Sequence, residues 1–232
     1  MNGYYAVAID GPSGSGKSTM ARKLAKAFGF LYVDTGAIYR TLGLACSRAG
    51  IDRRDAKEVM KILSGLDLQI RYNEAGEQCM LLSGEDVSRE IRLPEISLAA
   101  SDVSAHQEVR SFLLDLQRKF ARENDVIMDG RDIGTVVLPD AELKIFLTAS
   151  PEARARRRLA ELLEKGENVR FEEVLRDIII RDEQDTTRAA APLRKAADAV
   201  EVDSSEMNAK ETYGRLCEII INRFALAPEE KQ

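Results

Sequence analysis

The sequence is poor in the residues that build metal centres, disulfide scaffolds and membrane spans. It has one histidine, no tryptophan and three cysteines, at positions 46, 79 and 217. Because those cysteines lie far apart without metal-ligand spacing, we expect neither a zinc site nor a disulfide framework, and their odd number suits a reducing cytoplasm. No apolar run approaches the ~18 residues that cross a bilayer. We therefore expect a cytoplasmic protein with no membrane partner.

The chain also lacks a net positive charge, which argues against further classes of partner. The formal net charge of −5 favours neither nucleic acid nor an anionic membrane as a partner. The motifs N-K-x-D and D-x-x-G are absent, so a regulatory GTPase switch is disfavoured. The chain has 232 residues, 44% apolar and 31% charged, which is ordinary for a globular enzyme with a buried core.

A glycine-rich loop follows the first apolar run, Tyr4–Asp10, which is typical of a buried strand. The loop fits the phosphate-loop pattern G-x-x-x-x-G-K-[ST], and apolar residues at helical spacing begin after Ser18. The pattern predicts that Lys17 reaches the β- and γ-phosphates of a nucleotide and that the Ser18 hydroxyl ligates Mg²⁺. The predicted ATP-binding residues of this loop are Gly11, Pro12, Ser13, Gly14, Ser15, Gly16, Lys17, Ser18 and Thr19. A chance Gly/Ser turn is the alternative, and the flanking strand and helix argue against it.

Strands and helices alternate along the rest of the chain. We predict strands at 31–33, 126–128, 143–147 and 199–202, a small antiparallel sheet at 66–87, and a helix-poor loop at 135–142. Helices are expected at about 37–49, 94–104, 109–122, 151–166 and 170–191, with a final helix after the last strand. This alternation indicates an α/β protein with a mostly parallel sheet.

Two interpretations fit the start of the second helix. Thr35 is a plausible N-cap and Asp34 a favourable charge beside it. Alternatively, this helix start, with Tyr39 and Arg40 on its first turn, receives an acceptor phosphate.

The helix that begins near Arg170 has a face that changes character. Its apolar stripe, Phe171, Val174 and Ile178, continues in phase as Arg181, Asp185 and Arg188. A buried charge is costly unless it is paired or serves a ligand, which favours a cleft. The alternative is a solvated helix end with an Arg181–Asp185 pair worth ~0.3–0.5 kcal/mol.

The preceding helix carries an arginine run, Arg154–Arg158, with the same ambiguity. Glu152–Arg156 and Arg157–Glu161 can pair along a solvated face. A phosphoryl-transfer enzyme, however, needs cations over the transferred group, and a mobile arginine-bearing lid supplies them. Asp129 ends a buried strand near the phosphate loop. A carboxylate at that position can hold Mg²⁺ or its water.

These segments together resemble the bacterial cytidylate kinase family of P-loop nucleoside monophosphate kinases. The resemblance covers nearly the whole chain and depends on the combination of motifs rather than on the phosphate loop alone. The matching segments are 9–18, 34–40, 84–88, 129–135, the pattern Arg181-Asp-x-x-Asp185-x-x-Arg188, and 191–193.

The resemblance implies a P-loop NTPase fold with a five-stranded sheet, a helical lid, and transfer of phosphate from ATP with Mg²⁺ to CMP or dCMP in pyrimidine metabolism. It implies one domain over 1–232, with a core (1–35, 106–150, 189–226), a monophosphate-binding region with the sheet insert (about 36–105) and a lid (about 151–188). We expect a monomer.

The resemblance also implies roles for individual residues. The expected catalytic residues are Lys17, Asp129, Arg131 and Arg188, and Arg157 is expected to contact ATP. The expected CMP-binding residues are Thr35, Arg40, Ser101, Arg110, Arg131, Asp132, Arg181, Asp185 and Arg188, with Ser101, Arg110 and Asp132 facing the cytosine. Two other hypotheses stay open at this point: a phosphate-loop kinase for another small metabolite, and a nucleotide-binding module without turnover.

Overall fold

The strand that precedes the phosphate loop lies at the centre of the main sheet. In a computed structural model, which describes residues 4–228, this strand is β1 (Ala6–Asp10), and all five of its residues are buried. The other strands of the sheet are β2 (Leu31–Asp34), β6 (Val126–Gly130), β7 (Leu143–Thr148) and β8 (Val200–Asp203). Their order is β2-β6-β1-β7-β8, and every pairing is parallel. The predicted fold class is confirmed.

Helices cover both faces of this sheet, because successive strand side chains point to opposite sides. Helices α1 (Lys17–Phe28) and α8 (Ala209–Phe224) pack on the face that carries Val7 and Ile9. Ala6 and Ala8 point to the other face, where they join a core that includes α5 (Gln107–Glu123). The sheet therefore holds the phosphate loop between two packed layers.

A second core lies beside the sheet and surrounds α2 (Thr35–Ala49). It is formed with α3 (Ala56–Ser64), α4 (Pro94–Ser104), α5 and the predicted antiparallel sheet. That sheet consists of β3 (Leu68–Tyr72), β4 (Gln78–Leu82) and β5 (Glu85–Asp86), followed by a 3₁₀ turn at Glu90–Arg92. Helices α2 and α4 approach closely at Gly43, where a Cβ would lie 3.0 Å from the backbone of Ala99 and Ala100.

The arginine-rich segment forms a pair of helices, α6 (Pro151–Glu164) and α7 (Phe171–Thr187). Their contact has its own small core, which contains Ala155, Leu162, Val174 and Ile178. Ser150 caps α6 by accepting from the Ala153 N–H, and Pro151 occupies the first position of the helix. The apolar stripe of α7 therefore packs against α6 before the charged part of the same face begins.

Two local predictions are wrong. The N-cap of α2 is Asp34, whose carboxylate accepts from the Ala37 N–H at 2.9 Å, whereas Thr35 is the first helical residue. The predicted helix-poor loop begins with a π-helical turn at Ile133–Val137, which accompanies the crossing from β6 over β1 to β7.

No helix within residues 4–228 is long and apolar enough to cross a membrane. Residues 1–3 and 229–232 of the predicted domain lie outside the described residues.

Candidate active site

The phosphate loop depends on glycine at its first position. Gly11 has φ 155°, and a Cβ built there would lie 2.0 Å from the Leu147 carbonyl oxygen of β7. Gly16 (φ 88°) is the N-cap of α1 and offers no side-chain acceptor to the first turn. The N–H groups at the start of α1 are therefore left for an anion, which the helix dipole also favours.

Lys17 and Asp129 lie at the base of this loop, and both are buried. The Lys17 ammonium donates to the Pro12 carbonyl oxygen at 3.0 Å. The Asp129 carboxylate accepts from the Ser18 hydroxyl at 2.7 Å and from the Tyr32 hydroxyl at 2.9 Å. Burial lowers the pKa of Lys17 to about 7, with repulsion by Arg131 adding to the shift.

The pKa of Asp129 is raised, first by burial and then by the Asp34 carboxylate. Ser18 and Asp129 thus place two oxygen atoms side by side next to the phosphate loop. Mg²⁺ prefers oxygen ligands and usually takes the remainder from waters and nucleotide phosphates. These two residues fit a magnesium ion that arrives with a nucleotide.

One cleft joins the phosphate loop to the start of α2, to α4 and α5, to the residues after β6, and to α7. Its lining includes six basic side chains and four carboxylates, in a chain whose net charge is negative. The lining residues are Ser13, Gly14, Lys17, Ser18, Asp34, Thr35, Gly36, Tyr39, Arg40, Ser97, Ala100, Ser101, Ser104, Arg110, Asp129, Gly130, Arg131, Asp132, Arg181, Asp185 and Arg188.

At the start of α2, Asp34 organises the basic side chains. Its carboxylate accepts from Arg40 and from Arg92, each at 2.8 Å. Burial alone would raise the pKa of Asp34, but the two guanidinium groups hold it below its ordinary value. Gln78 of β4 accepts from the Asp34 N–H at 2.7 Å, so the small sheet supports this helix start. The Thr35 hydroxyl donates instead to the Asp129 carbonyl oxygen at 2.9 Å.

The charged face of α7 meets the residues that follow β6. Asp185 accepts from Arg131 at 2.6 Å, and Arg188 lies 3.9 Å from the same carboxylate and 3.8 Å from Asp132. Burial lowers the pKa values of Arg181 and Arg188; repulsion by Arg131 adds to the shift of Arg181, and repulsion by Arg110 adds to the shift of Arg188. Within residues 4–228, Arg181 forms no ion pair or hydrogen bond. The Arg181–Asp185 pair that the sequence allows is replaced by Arg131–Asp185.

The far end of the cleft carries a buried ion pair between Arg110 of α5 and Asp132. The Arg110 guanidinium also donates to the Ser104 carbonyl oxygen at 3.2 Å and lies 5.4 Å from the centre of the Tyr39 ring. Ser101 donates to the Ser97 carbonyl oxygen at 3.3 Å, which leaves its hydroxyl oxygen able to accept. This end presents donors and acceptors to a planar polar ring.

The cleft brings together most of the catalytic and nucleotide-binding residues that are predicted from the sequence. All the predicted CMP-binding residues line it, as do Lys17 and Asp129. Arg157 does not line it; its guanidinium donates to the carbonyl oxygens of Ser204 and Met207 beyond β8. Neither the Glu152–Arg156 nor the Arg157–Glu161 pair forms within residues 4–228, and Glu161 accepts from Arg158 at 3.2 Å. Gly11, Pro12, Ser15, Gly16 and Thr19 form the loop without lining the cleft.

Sequence reasoning missed three groups that support the site. Tyr32 bonds Asp129, and Arg92 shares Asp34 with Arg40. Asp10 accepts from the Ile133 N–H at 2.8 Å and fixes the turn after Asp132; burial raises its pKa to about 6. Asp10 could have been found, because a carboxylate that ends an apolar strand next to a phosphate loop is itself a signal.

Comparisons with known proteins agree on one family. A family model described as cytidylate kinase matches residues 7–224. A relative named cytidylate kinase from Caldicellulosiruptor saccharolyticus is 48% identical over 213 residues, covering 92% of this chain and 94% of that protein. Another of that name from Carboxydothermus hydrogenoformans is 49% identical over 214 residues, covering 92% and 96%. A third, from Geobacter sulfurreducens, is 48% identical over 225 residues, covering 96% and 95%.

A comparison of structures shows similarity of fold alone. The crystal structure of an uncharacterized protein from Eubacterium ventriosum has a TM-score of 0.50 with this chain at 13% identity. The match covers 94% of this chain and 99% of that one.

Proposed function

This chain belongs to the cytidylate kinase family, and from that premise we propose that it transfers the γ-phosphoryl group of ATP to CMP, giving ADP and CDP. One observation carries the proposal: a single cleft is lined by the phosphate loop at one end and the Arg110–Asp132 pair at the other. Arg131 and Arg181 also line the cleft, near enough to Lys17 of the loop to lower its pKa. We place the meeting of the two nucleotides through their phosphates there. We include dCMP as a second acceptor.

On the donor side, we propose that residues 11–19 bind the ATP phosphates and that Arg157 contributes near the nucleotide. The free N–H groups at the start of α1 support the first assignment. Ser18 and Asp129 would hold the Mg²⁺ that accompanies ATP, directly or through water. When bound, that ion supplies positive charge next to the transferred phosphate.

The transferred group would pass in line between the nucleotides, with no covalent enzyme intermediate. The acceptor phosphate is already an anion, so no strong general base is required. Catalysis then consists of positioning and of charge compensation at the transferred group. We assign the compensation to Lys17, Arg131 and Arg188.

On the acceptor side, we propose that Asp132 and Ser101 accept from the cytosine amino group while Arg110 donates to the ring acceptors. The Arg110–Asp132 pair already presents both kinds of group at one end of the cleft. Arg181 and Asp185 would contact the ribose. The CMP phosphate would be held by Thr35, Arg40, Arg131 and Arg188.

The proposal also covers the organisation of the chain. Residues about 36–105 would form the acceptor-binding region and residues about 151–188 a lid, on a core made of 1–35, 106–150 and 189–226. The separate apolar cores around α2 and between α6 and α7 support this division. We further propose a cytoplasmic monomer.

The test is a coupled assay of ADP release with CMP, dCMP, UMP and AMP. We expect CMP to be the best acceptor, and turnover of AMP or UMP with none of CMP would overturn the proposal. The variant Asp132→Asn should lower the preference for CMP over UMP at least about tenfold, since an amide can also donate to a uracil carbonyl. Asp115→Asn on the exposed face of α5 is the matched control, and it should leave the preference unchanged.

A further inference from the structure

Arg154 is the most deeply buried guanidinium of the arginine-rich helix α6, and it does not line the cleft. Only 2% of its surface is exposed. Burial of a guanidinium is costly unless its N–H groups are paired. Here Nε donates to the Ala149 carbonyl oxygen at 2.9 Å, and Nη1 donates to the Ser13 carbonyl oxygen at 3.0 Å. The same Nη1 and Nη2 donate to the two oxygens of Asp182, at 2.9 and 2.5 Å.

These contacts join three separate parts of the molecule. Ala149 follows β7, Ser13 lies within the phosphate loop, and Asp182 belongs to α7. The aliphatic stem of Arg154 also packs against the loop, since a Cβ at Gly14 would lie 3.5 Å from its Cβ. Arginine suits this place because its planar fork donates in several fixed directions at once, which lysine does not do.

On α7, the position of Asp182 matters for the cleft. It lies one residue after Arg181 and three before Asp185, both of which line the cleft. Because side chains on a helix keep fixed angles to one another, anchoring Asp182 restrains the direction in which Arg181 points. Arg181 has no partner of its own within residues 4–228, so its direction depends on the helix that carries it.

We propose that Arg154 is a positioning residue that holds α7 in register with the phosphate loop, through Asp182 on one side and Ser13 on the other. Its effect is to keep Arg181 directed into the cleft, where it would contact the ribose of the acceptor. This inference rests on the proposed function for its effect on turnover. The position of α7 relative to the phosphate loop does not depend on that function.

The alternative is that the Arg154–Asp182 pair only stabilises the fold. The two readings differ in turnover measured well below the melting temperature. For a positioning residue, Arg154→Lys and the milder Asp182→Asn should lower kcat about tenfold or more, because a small misplacement of a group that orients the substrate is costly in rate. The KM for CMP should change much less. The control is Arg170→Met, which removes an exposed pair with Glu173 at the start of α7. Its kcat should stay within about twofold of that of the unchanged protein.

A double-mutant cycle with Arg181→Met isolates the mechanism. If Arg154 acts by aiming Arg181, Arg154→Lys should cost little further kcat once Arg181 is gone. Full additivity of the two effects would overturn the proposal. So would a lowered melting temperature with unchanged kcat in both Arg154→Lys and Asp182→Asn.

Hydrogen exchange tests the register without turnover. In Asp182→Asn and Arg154→Lys, amide exchange should quicken in both the segment 11–19 and the segment 176–188, and in Arg170→Met in neither. Unchanged exchange in the two segments would contradict the proposal that Arg154 and Asp182 hold α7 against the phosphate loop. If the unchanged protein fails to phosphorylate CMP, the proposed function falls, and the exchange experiment alone decides this inference.

Discussion

Binding of ATP to the free protein should take up a proton at about pH 8, because Lys17 is then largely uncharged. Burial and Arg131 lower the pKa of Lys17 to about 7. With that value, Lys17 is ~90% neutral at about pH 8 and ~10% neutral at about pH 6. A bound triphosphate restores the charged ammonium, since an adjacent negative charge raises the pKa of a lysine. The expected uptake is therefore ~0.9 proton at about pH 8 and ~0.1 at about pH 6.

The sign of the effect on affinity follows from linkage. The free protein binds fewer protons than the complex between the free and bound pKa values of Lys17, so binding weakens as the pH rises through that window. The loss approaches about tenfold in the dissociation constant per pH unit above about 7. Below that value, Lys17 is charged in both states and contributes no pH dependence.

Calorimetry measures the uptake directly. The apparent enthalpy of ATP binding, measured in buffers of different ionisation enthalpy, gives the number of protons exchanged from its slope. Lys17→Arg is the control, because a guanidinium stays charged throughout this range. The difference between the two proteins separates Lys17 from other groups, including Asp129, whose raised pKa allows it to release a proton. Equal uptake by both proteins at about pH 8 would refute the reasoning.

Two further predictions concern the phosphate loop and its support. Gly11→Ala should cost roughly 3 kcal/mol or more of unfolding free energy, since its Cβ would meet the Leu147 carbonyl oxygen at 2.0 Å. Gly166→Ala, also at positive φ but with open space around it, should cost only ~1–2 kcal/mol in the same denaturant titration. Tyr32→Phe removes a hydroxyl that stabilises the Asp129 carboxylate, so the acid limb of the kcat profile should move to higher pH. An unmoved limb would show that Asp129 does not control it.

The cleft face of α7 could be predicted from the sequence because a helix has a fixed phase. Val174 and Ile178 are buried, and Arg181 and Asp185 follow on the same face into the cleft. Residues within one helix constrain one another over several turns, whatever the rest of the fold does. The phosphate loop was predictable for a similar reason, since its glycines and lysine are contiguous.

Pairings between distant segments could not be predicted in this way. Asp185 has an arginine four residues before it in the same helix, yet it pairs with Arg131, which is 54 residues away. The contact from Arg154 to Ser13 spans 141 residues. Nothing local distinguishes an arginine that faces a distant carbonyl group from one that faces water, so the pattern along α6 left both possibilities open.

The N-cap of α2 shows how a local rule can fail by one residue. Asp34 and Thr35 are both favourable caps, and the sequence alone does not decide between them. The sheet decides, because β2 pairs with β6 in a register that sets Asp34 opposite Asp129. Thr35 is then close enough to donate to the Asp129 carbonyl oxygen, and Asp34 is the N-cap.

The buried polar atoms that lack hydrogen-bond partners indicate what the cleft is built to receive. Within residues 4–228 these side-chain atoms are Ser15 Oγ, Arg40 Nε and Arg188 Nη2. All belong to the phosphate loop or to side chains that line the cleft. A buried donor without an acceptor costs ~1–3 kcal/mol, and the excess of basic side chains in the cleft adds repulsion. This arrangement lowers the stability of the protein without a ligand. Anionic ligands remove the penalty by accepting hydrogen bonds from these donors. The cost is concentrated where two sets of phosphates would converge, which is a reason to regard the arginines as a binding surface rather than as part of the scaffold.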